Sequence, residues 1–423
     1  MAGFYYKVVS SVLHDAAAVE KIFSGFEGLL HERGGKKVET LDSAGFPPFF
    51  FILTGGTEGQ VKEFLRKAVR SDGRLHPLTL LAHPGHNSLP AALEIAAWAV
   101  QQGGTAKLVQ IGSPDDARGH EALDEAIRLD AIGRAMRATR IGAVGTASEW
   151  LVASSQGADA AARTWGCELV SVSLDELYQG MGTARKEPSE KRRAAAKEFL
   201  EQASFCSEPS DEDLARSDSI LDSLAAIVLS HRLDALTLRC FDLVTGDGST
   251  GCYALSRLAD EGIEAGCEGD IPSILALRWM RLLSGRPAWM ANPSRIDRGA
   301  SEGRARIHLA HCTVPRSMLT GYGIRSHFES GLGLAIAGSF EPGPVTLVRI
   351  GGSGLEKAWV AEGMLIDSPH AEGLCRTQAV VELDEASIEA YLSEPLGNHF
   401  VMGLGHHGRL AKAYSAREKI RIL

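Results

Sequence analysis

The stretch Ala265-Gly-Cys-Glu-Gly-Asp-Ile-Pro272 places a carboxylate, Glu268, just after a short apolar run and just before a helix start. In open α/β sheets ligands bind at the carboxyl edges of strands, so a strand ending at Cys267 puts Glu268 in that position. Asp270 with Pro272 behind it reads as the cap and first turn of a helix running to Leu283. Asp270 thus has a structural role to fill, and Glu268 has none. Two further segments offer imidazoles. The run Arg304–Ala310 ends in His311-Cys-Thr-Val-Pro315. Near the C-terminus stand Leu396-Gly-Asn-His-Phe400 and Gly405-His-His-Gly408. A carboxylate with two imidazoles and an open position suits Mn²⁺, Mg²⁺ or Co²⁺ better than a closed structural zinc site. These residues are spread over about 130 positions, so spacing alone is a weak signal.

Two glycine-rich stretches compete for attention. Gly246-Asp-Gly-Ser-Thr-Gly251 is a literal GxGxxG with acidic residues about 20 positions on, the outline of a dinucleotide fingerprint. It falls late in its α/β block, and its acidic partners, Glu268 and Asp270, belong to the tighter constellation above. The favoured expectation is a glycine turn at a strand end. Leu53-Thr-Gly-Gly-Thr-Glu-Gly59 lacks the lysine of a phosphate-binding P-loop. Its backbone N–H groups at a helix start suit an anion or a sugar hydroxyl.

The elements that must position these residues fall into three blocks. Residues 1–138 alternate short apolar runs (Tyr5–Leu13, Phe49–Leu53, Leu78–Ala82, Lys107–Ile111) with helical segments, one starting at Asn87-Ser88. That alternation implies a parallel sheet covered on both faces. Residues 139–286 repeat the pattern through Arg140–Val144, Glu168–Val172, Ala235–Leu243 and Ile263–Cys267, with helices over Pro188–Ala203, Ser217–Ser230 and Cys252–Asp260. Glu187–Arg216 is rich in charge and reads as a solvated helical hairpin. From 287 to 423 strand-like runs take over: Arg304–Ala310, Gly333–Phe340, Val345–Ile350, Lys357–Leu365 and Gln378–Leu383. The fold class expected is α/β: two Rossmann-like domains with parallel sheets, then a mostly antiparallel, barrel-like C-terminal domain.

The bulk numbers exclude several function classes. With 423 residues the chain is long enough for about three domains at ~150 residues each. A net charge of −9 argues against a nucleic-acid surface. No apolar run reaches the roughly 18 residues of a membrane span, and no signal peptide is evident. Seven scattered cysteines without a CxxC fit reduced thiols in the cytoplasm.

Several phrases together resemble the L-fucose/L-arabinose isomerase superfamily, in its shorter form. They are Thr54-Gly-Gly-Thr-Glu58, Ala82-His-Pro with Asn87-Ser-Leu89, Ser148-Glu-Trp-Leu151, Arg239-Cys-Phe-Asp242, Cys267-Glu-Gly-Asp270, His311-Cys-Thr313, His327-Phe-Glu-Ser-Gly331, Cys375-Arg-Thr-Gln378 and Gly397-Asn-His399. They occur in family order and cover nearly the whole chain. The resemblance implies an aldose–ketose isomerase working through an enediolate, with a divalent metal, usually Mn²⁺. It further implies a homo-oligomer with sites near subunit interfaces and a small sugar as partner, with neither nucleic acid nor membrane. Glu268 matches the family's glutamate ligand, His399 its late histidine, and His311 an additional histidine of the arabinose branch.

Where fucose isomerases carry an aspartate ligand, this chain has Asn292, followed by Pro293. An amide can offer a carbonyl oxygen but cannot serve as a base. The resemblance therefore assigns the proton shuttle to Glu268 and makes Asn292 a weak ligand or orienter, with Asp297 or Asp270 as substitutes. Trp150 is the candidate to stack on the sugar and Arg376 to bind a hydroxyl or an anionic group. Arg239, Arg316, Arg325 and Arg376, near the matched phrases, motivate a charged substrate such as a sulfosugar. Two alternatives stand beside the isomerase. One is an epimerase or C–C lyase on the same fold; the other is a non-catalytic sugar-binding relative with a weakened metal site.

Overall fold

In the computed structural model the described residues are 3–423, apart from 41–45, 68, 71–72, 74, 114 and 188–189. By internal packing they divide into two compact units, 1–134 with 413–419, and 135–412 with 420–423.

The first unit is built on a parallel sheet of β1 (Phe4–Val9), β2 (Gly35–Lys37), β3 (Phe49–Ile52), β4 (Leu78–Ala82) and β5 (Ala106–Gln110). Their spatial order is β2-β1-β3-β4-β5, a doubly wound arrangement. Both faces are apolar, as a parallel sheet requires. Phe49 and Phe51 join Phe23, Phe26 and Leu30 on one side; Phe50 and Ile52 join Ala92 and Ile95 on the other. The first apolar run stops short of its expected end. β1 closes at Val9, and Val12 and Leu13 are exposed.

The second unit opens with another parallel sheet: β6 (Arg140–Val144), β7 (Glu168–Val172), β8 (Ala235–Leu238) and β9 (Glu264–Cys267), ordered β7-β6-β8-β9. The helix Asp211–His231 begins earlier than its apolar period suggests, because Ser210 and Asp213 form a reciprocal capping box. The expected helix start at Pro188 lies outside the described residues; the helix there covers Glu190–Glu201.

The remaining strands are β10 (Trp289–Ser301), β11 (Arg304–His311), β12 (Gly321–Arg325), β13 (Ala335–Ser339), β14 (Gly343–Gly351), β15 (Lys357–Asp367), β16 (Thr377–Asp384), β17 (Phe400–Leu404) and β18 (Arg421–Ile422). Six of them pair antiparallel in the ring β14-β17-β10-β11-β16-β15 and back to β14, a closed barrel. Closure leaves no open edge among these six. β12 and β13 form a separate ribbon, and β18 adds to β15 in parallel. The α/β architecture with parallel sheets and a C-terminal barrel agrees with the expectation from sequence.

Three local expectations are corrected. Ala235–Leu243 is not one element, since β8 ends at Leu238 and a helix covers Phe241–Asp247. The GxGxxG therefore begins in the last turn of a helix, not after a strand: Gly248, at φ 67°, caps that helix, and the next begins at Cys252. The C-terminal block also contains two helices, Glu385–Ser393 and Gly408–Glu418, among its strands. Among the described residues no helix is long and apolar enough to cross a membrane.

A candidate metal centre

Three chain segments meet in the second unit. Glu268 follows β9, His311 ends β11, and His399 immediately precedes β17. Each of the three residues is buried, and one ligand atom from each lies within 4.8 Å of the others. The imidazole rings of His311 and His399 are 5.7 Å apart, at 74° to each other.

The turn that presents Glu268 is unusual in its backbone. Glu268 has φ 66° and Gly269 φ 71°. Two successive left-handed residues stand between strand and helix, and a left-handed non-glycine residue is uncommon. Gly269 must be glycine for a second reason. A Cβ there would lie 2.5 Å from the Thr146 carbonyl oxygen. The turn is held by Ser148 N–H donating to the Glu268 carbonyl at 2.9 Å and Gly269 N–H donating to the Leu238 carbonyl at 3.1 Å.

Asp270 caps the helix Ile271–Ser284 through Ser273 N–H at 2.8 Å, as expected from sequence. It also does more. His399 Nδ1 donates to its Oδ2 at 2.8 Å, and Arg349 Nη1 lies 3.1 Å from the same oxygen. Arg349 and Asp270 are both wholly buried. The guanidinium is completed by Ser273 Oγ (2.6 Å), Ser154 Oγ (2.5 Å) and the Leu396 carbonyl (3.3 Å). Gly397 makes room for it; at φ 137° its place could not take a side chain without striking Arg349. This explains the Gly in Gly397-Asn-His399. Sequence reasoning missed Arg349, an isolated arginine in a strand whose partner is 79 positions away.

With Nδ1 donating to Asp270, the neutral form of His399 has its lone pair on Nε2, which is buried without a hydrogen-bond partner and lies 3.4 Å from Glu268 Oε1. A carboxylate behind an imidazole that faces inward is the usual support of a metal-binding histidine. His311 Nδ1 is likewise engaged, 2.8 Å from Thr313 Oγ1. Trp150 Nε1 donates to Glu268 Oε2 at 2.6 Å, fixing the far oxygen of that carboxylate. The buried orphan nitrogen and the mixed oxygen–imidazole donor set fit a divalent metal, and these three residues can hold one.

Without an ion, the charges arrange themselves around His399. Burial would lower its pKa, but the adjacent carboxylates of Asp270 and Glu268 override that and raise it to about 9, so a metal ion would have to displace the proton on Nε2. Burial, with the neighbouring His399, pushes His311 down to about 4. Burial would raise Glu268, yet the histidines and Trp150 hold it below the usual carboxylate range. Asp270 is held well below that range, chiefly by Arg349 and His399 working against its burial.

The other residues singled out from sequence fall as follows. Asn292 lies on β10, partly buried, where Asn398 Nδ2 donates to its Oδ1 at 3.3 Å. Asp297 pairs with His308 and Arg295. His406 and His407 bond to barrel carbonyls at Gly363 and Leu404 and take no part in the cluster. Trp150 is half-exposed and packs edge-on against Phe241. Arg376 donates to the Ser326 carbonyl at 2.9 Å, lies 3.6 Å from Glu208, and with Arg325 lines a cavity of about 400 Å³. Arg239 pairs with Glu149 and Asp242, Arg325 with Glu208 and Glu372, and Arg316 bonds Gln202.

No family model matches the chain. Among curated proteins it is similar to sugar isomerases. The sulfoquinovose isomerase of Alkalicoccus urumqiensis is 24% identical over 246 residues, covering 57% of this chain and 54% of that protein. The sulfoquinovose isomerase of Priestia aryabhattai is 24% identical over 245 residues, 56% of this chain and 53% of its own length. That of Clostridium sp. (strain MSTE9) is 24% identical over 227 residues, 52% and 49%. The chain thus spans about half the length of the curated relatives it matches.

Proposed function

We propose that this chain is a divalent-metal-dependent aldose–ketose isomerase acting on an open-chain sugar, with a sulfosugar as the first candidate substrate. The observation that carries the reading is the buried Glu268–His311–His399 cluster, in which His399 keeps an unpartnered Nε2 behind a buried carboxylate. The names of the sulfoquinovose isomerase relatives supply the substrate class.

Glu268, His311 and His399 would hold the ion, with Asn292 as a neutral further ligand or an orienter of the Asn398–His399 turn. The ion expected is Mn²⁺, with Mg²⁺ or Co²⁺ as alternatives. When bound, it supplies Lewis-acid polarisation of the sugar's C1 and C2 oxygens. Glu268 takes the proton from C2 and returns it to C1 by way of an enediolate, while the O2 hydroxyl proton passes to O1. Trp150 holds one oxygen of Glu268 and offers its ring to the sugar's apolar face. Asp270 and Arg349 do no chemistry; they fix the orientation of His399. Arg376 is the candidate for the charged substituent. The chain is expected to work as a cytoplasmic homo-oligomer with its sites near subunit interfaces, and as three domains, 1–138, 139–286 and 287–423.

The test is a screen of aldoses, acidic and sulfonated ones included, with metal-loaded protein, read by ketose formation. E268Q should lower turnover at least a hundredfold, the usual scale for losing a general acid–base group. Purified protein that carries no divalent metal and converts no aldose would favour a sugar-binding relative instead. R376A with full activity on an anionic sugar removes Arg376 from recognition.

A further inference from the structure

A further histidine is linked to Glu268 through two aromatic contacts. His327 sits in the loop between β12 and β13 and is 8% exposed. Its Nδ1 accepts from Ser330 N–H at 3.4 Å and lies 3.1 Å from Ser330 Oγ. A backbone N–H can only donate, so Nδ1 is the acceptor and the proton of the neutral ring is on Nε2. Among the described residues that Nε2 has no hydrogen-bond partner, and it is not sealed from solvent.

The ring's neighbours lead back to Glu268. His327 packs edge-on against Phe241 at 5.7 Å, Phe241 edge-on against Trp150 at 4.9 Å, and Trp150 donates to Glu268. His327 is held from behind. Glu208 accepts from Ser326 N–H at 2.9 Å and Ser326 Oγ at 2.7 Å, while Arg376 ties down the Ser326 carbonyl. Glu208 in turn is gripped by Arg325. A side chain aimed by one backbone bond and anchored at the preceding residue is pre-organised, and one left with a free donor beside a polar site is poised for a ligand oxygen.

We propose that His327 is a further catalytic residue of this site: its Nε2–H donates to a hydroxyl or carbonyl oxygen of the open-chain sugar bound against Glu268, Phe241 and Trp150. Glu208, bonded to Ser326 N–H and Oγ, holds the residue before His327 in place. The proposal rests on the isomerase reading and names a contact that reading does not require.

The experiment titrates metal-loaded protein with a non-reacting alditol matched to its best aldose, by calorimetry, alongside turnover. H327A should weaken alditol binding about tenfold, the scale of one hydrogen bond to a neutral donor. It should lower kcat/KM at least as much, with metal content and melting temperature kept. H327Q, whose amide nitrogen reaches a similar place, should recover most of the binding. H327A and H327Q that both bind the alditol and turn over as wild type overturn the proposal and leave the isomerase reading standing. H327A that loses its metal, with H327Q restoring metal but not alditol binding, also overturns it. Wild-type protein that binds no alditol and converts no aldose overturns both.

Discussion

At the scale of single residues, the arrangement around Asp270 makes the sharpest demands. R349M removes the guanidinium and leaves a wholly buried carboxylate short of its main counter-charge. Breaking one side of such a pair costs about 3–5 kcal/mol, so urea denaturation should show a loss of that size. R349M with D270N should lose less than R349M alone, because the orphan charge is gone; equal losses would mean that the guanidinium matters for packing only. D270N should keep the helix start, since an asparagine can cap. It should nevertheless weaken metal binding about 10–100-fold, because His399 loses the carboxylate behind it. Equilibrium titration with Mn²⁺ checks this, and unchanged affinity would remove Asp270 from the support of His399. Glu268 was readable from sequence because a strand-end carboxylate with no capping duty is conspicuous. Arg349 was not, because its meaning depends on a partner brought near only by the fold.

Among elements, the helical hairpin carries a pH signature. Asp218, on the helix Asp211–His231, has its pKa raised from 3.8 to about 6. Burial is the main cause and Asp222 adds repulsion, while Tyr253, Arg257 and Arg192 pull the other way. A carboxyl raised in the folded state stabilises fully below its unfolded pKa, and that contribution fades as pH rises through about 6. Asp218's own contribution should therefore fall between about pH 4 and 6 by on the order of 1–2 kcal/mol, after allowance for partial solvent screening, while His311, held down to about 4, contributes in the opposite sense over the same window. The stability difference between wild type and D218N isolates it: wild type minus D218N should fall across that window, and a difference that does not change with pH would show that Asp218 makes no such contribution. The turn after β9 makes a different demand. G269A meets both a left-handed backbone and the Thr146 carbonyl, and should destabilise by roughly 2 kcal/mol or more. Strands with both faces buried were legible as unbroken apolar runs. The helix Glu385–Ser393 was not, since it buries only Ile388 and Tyr391 and so shows little period. The GxGxxG misled for a related reason: a helix C-cap and a strand-end turn both call for a left-handed glycine, and only the preceding element tells them apart.

For the whole molecule, what matters is that the three candidate ligands come from distant points of the chain and from two architectures. Glu268 leaves a parallel sheet, while His311 and His399 adjoin strands of the closed barrel. The barrel-like texture was legible in the sequence, but barrel closure was not, because the β14–β15 and β14–β17 pairings depend on register. A ligand that binds only when all three segments are in place acts as a cross-link of the folded state, with no affinity for the open chain. Such a ligand stabilises by RT ln(1 + [L]/Kd), about 2.7 kcal/mol at a hundred times Kd. Metal-stripped protein should thus melt at a lower temperature, and Mn²⁺ should raise the melting temperature progressively with concentration. E268Q should lose most of that gain, because a neutral amide replaces the only carboxylate in the cluster. H407Q should keep it, because His407 is bonded to a barrel carbonyl away from the cluster. Chelation should reverse the gain in wild type and change E268Q little. A melting temperature indifferent to Mn²⁺, Mg²⁺ and Co²⁺ in the wild type would mean that the three side chains meet for some reason other than holding an ion.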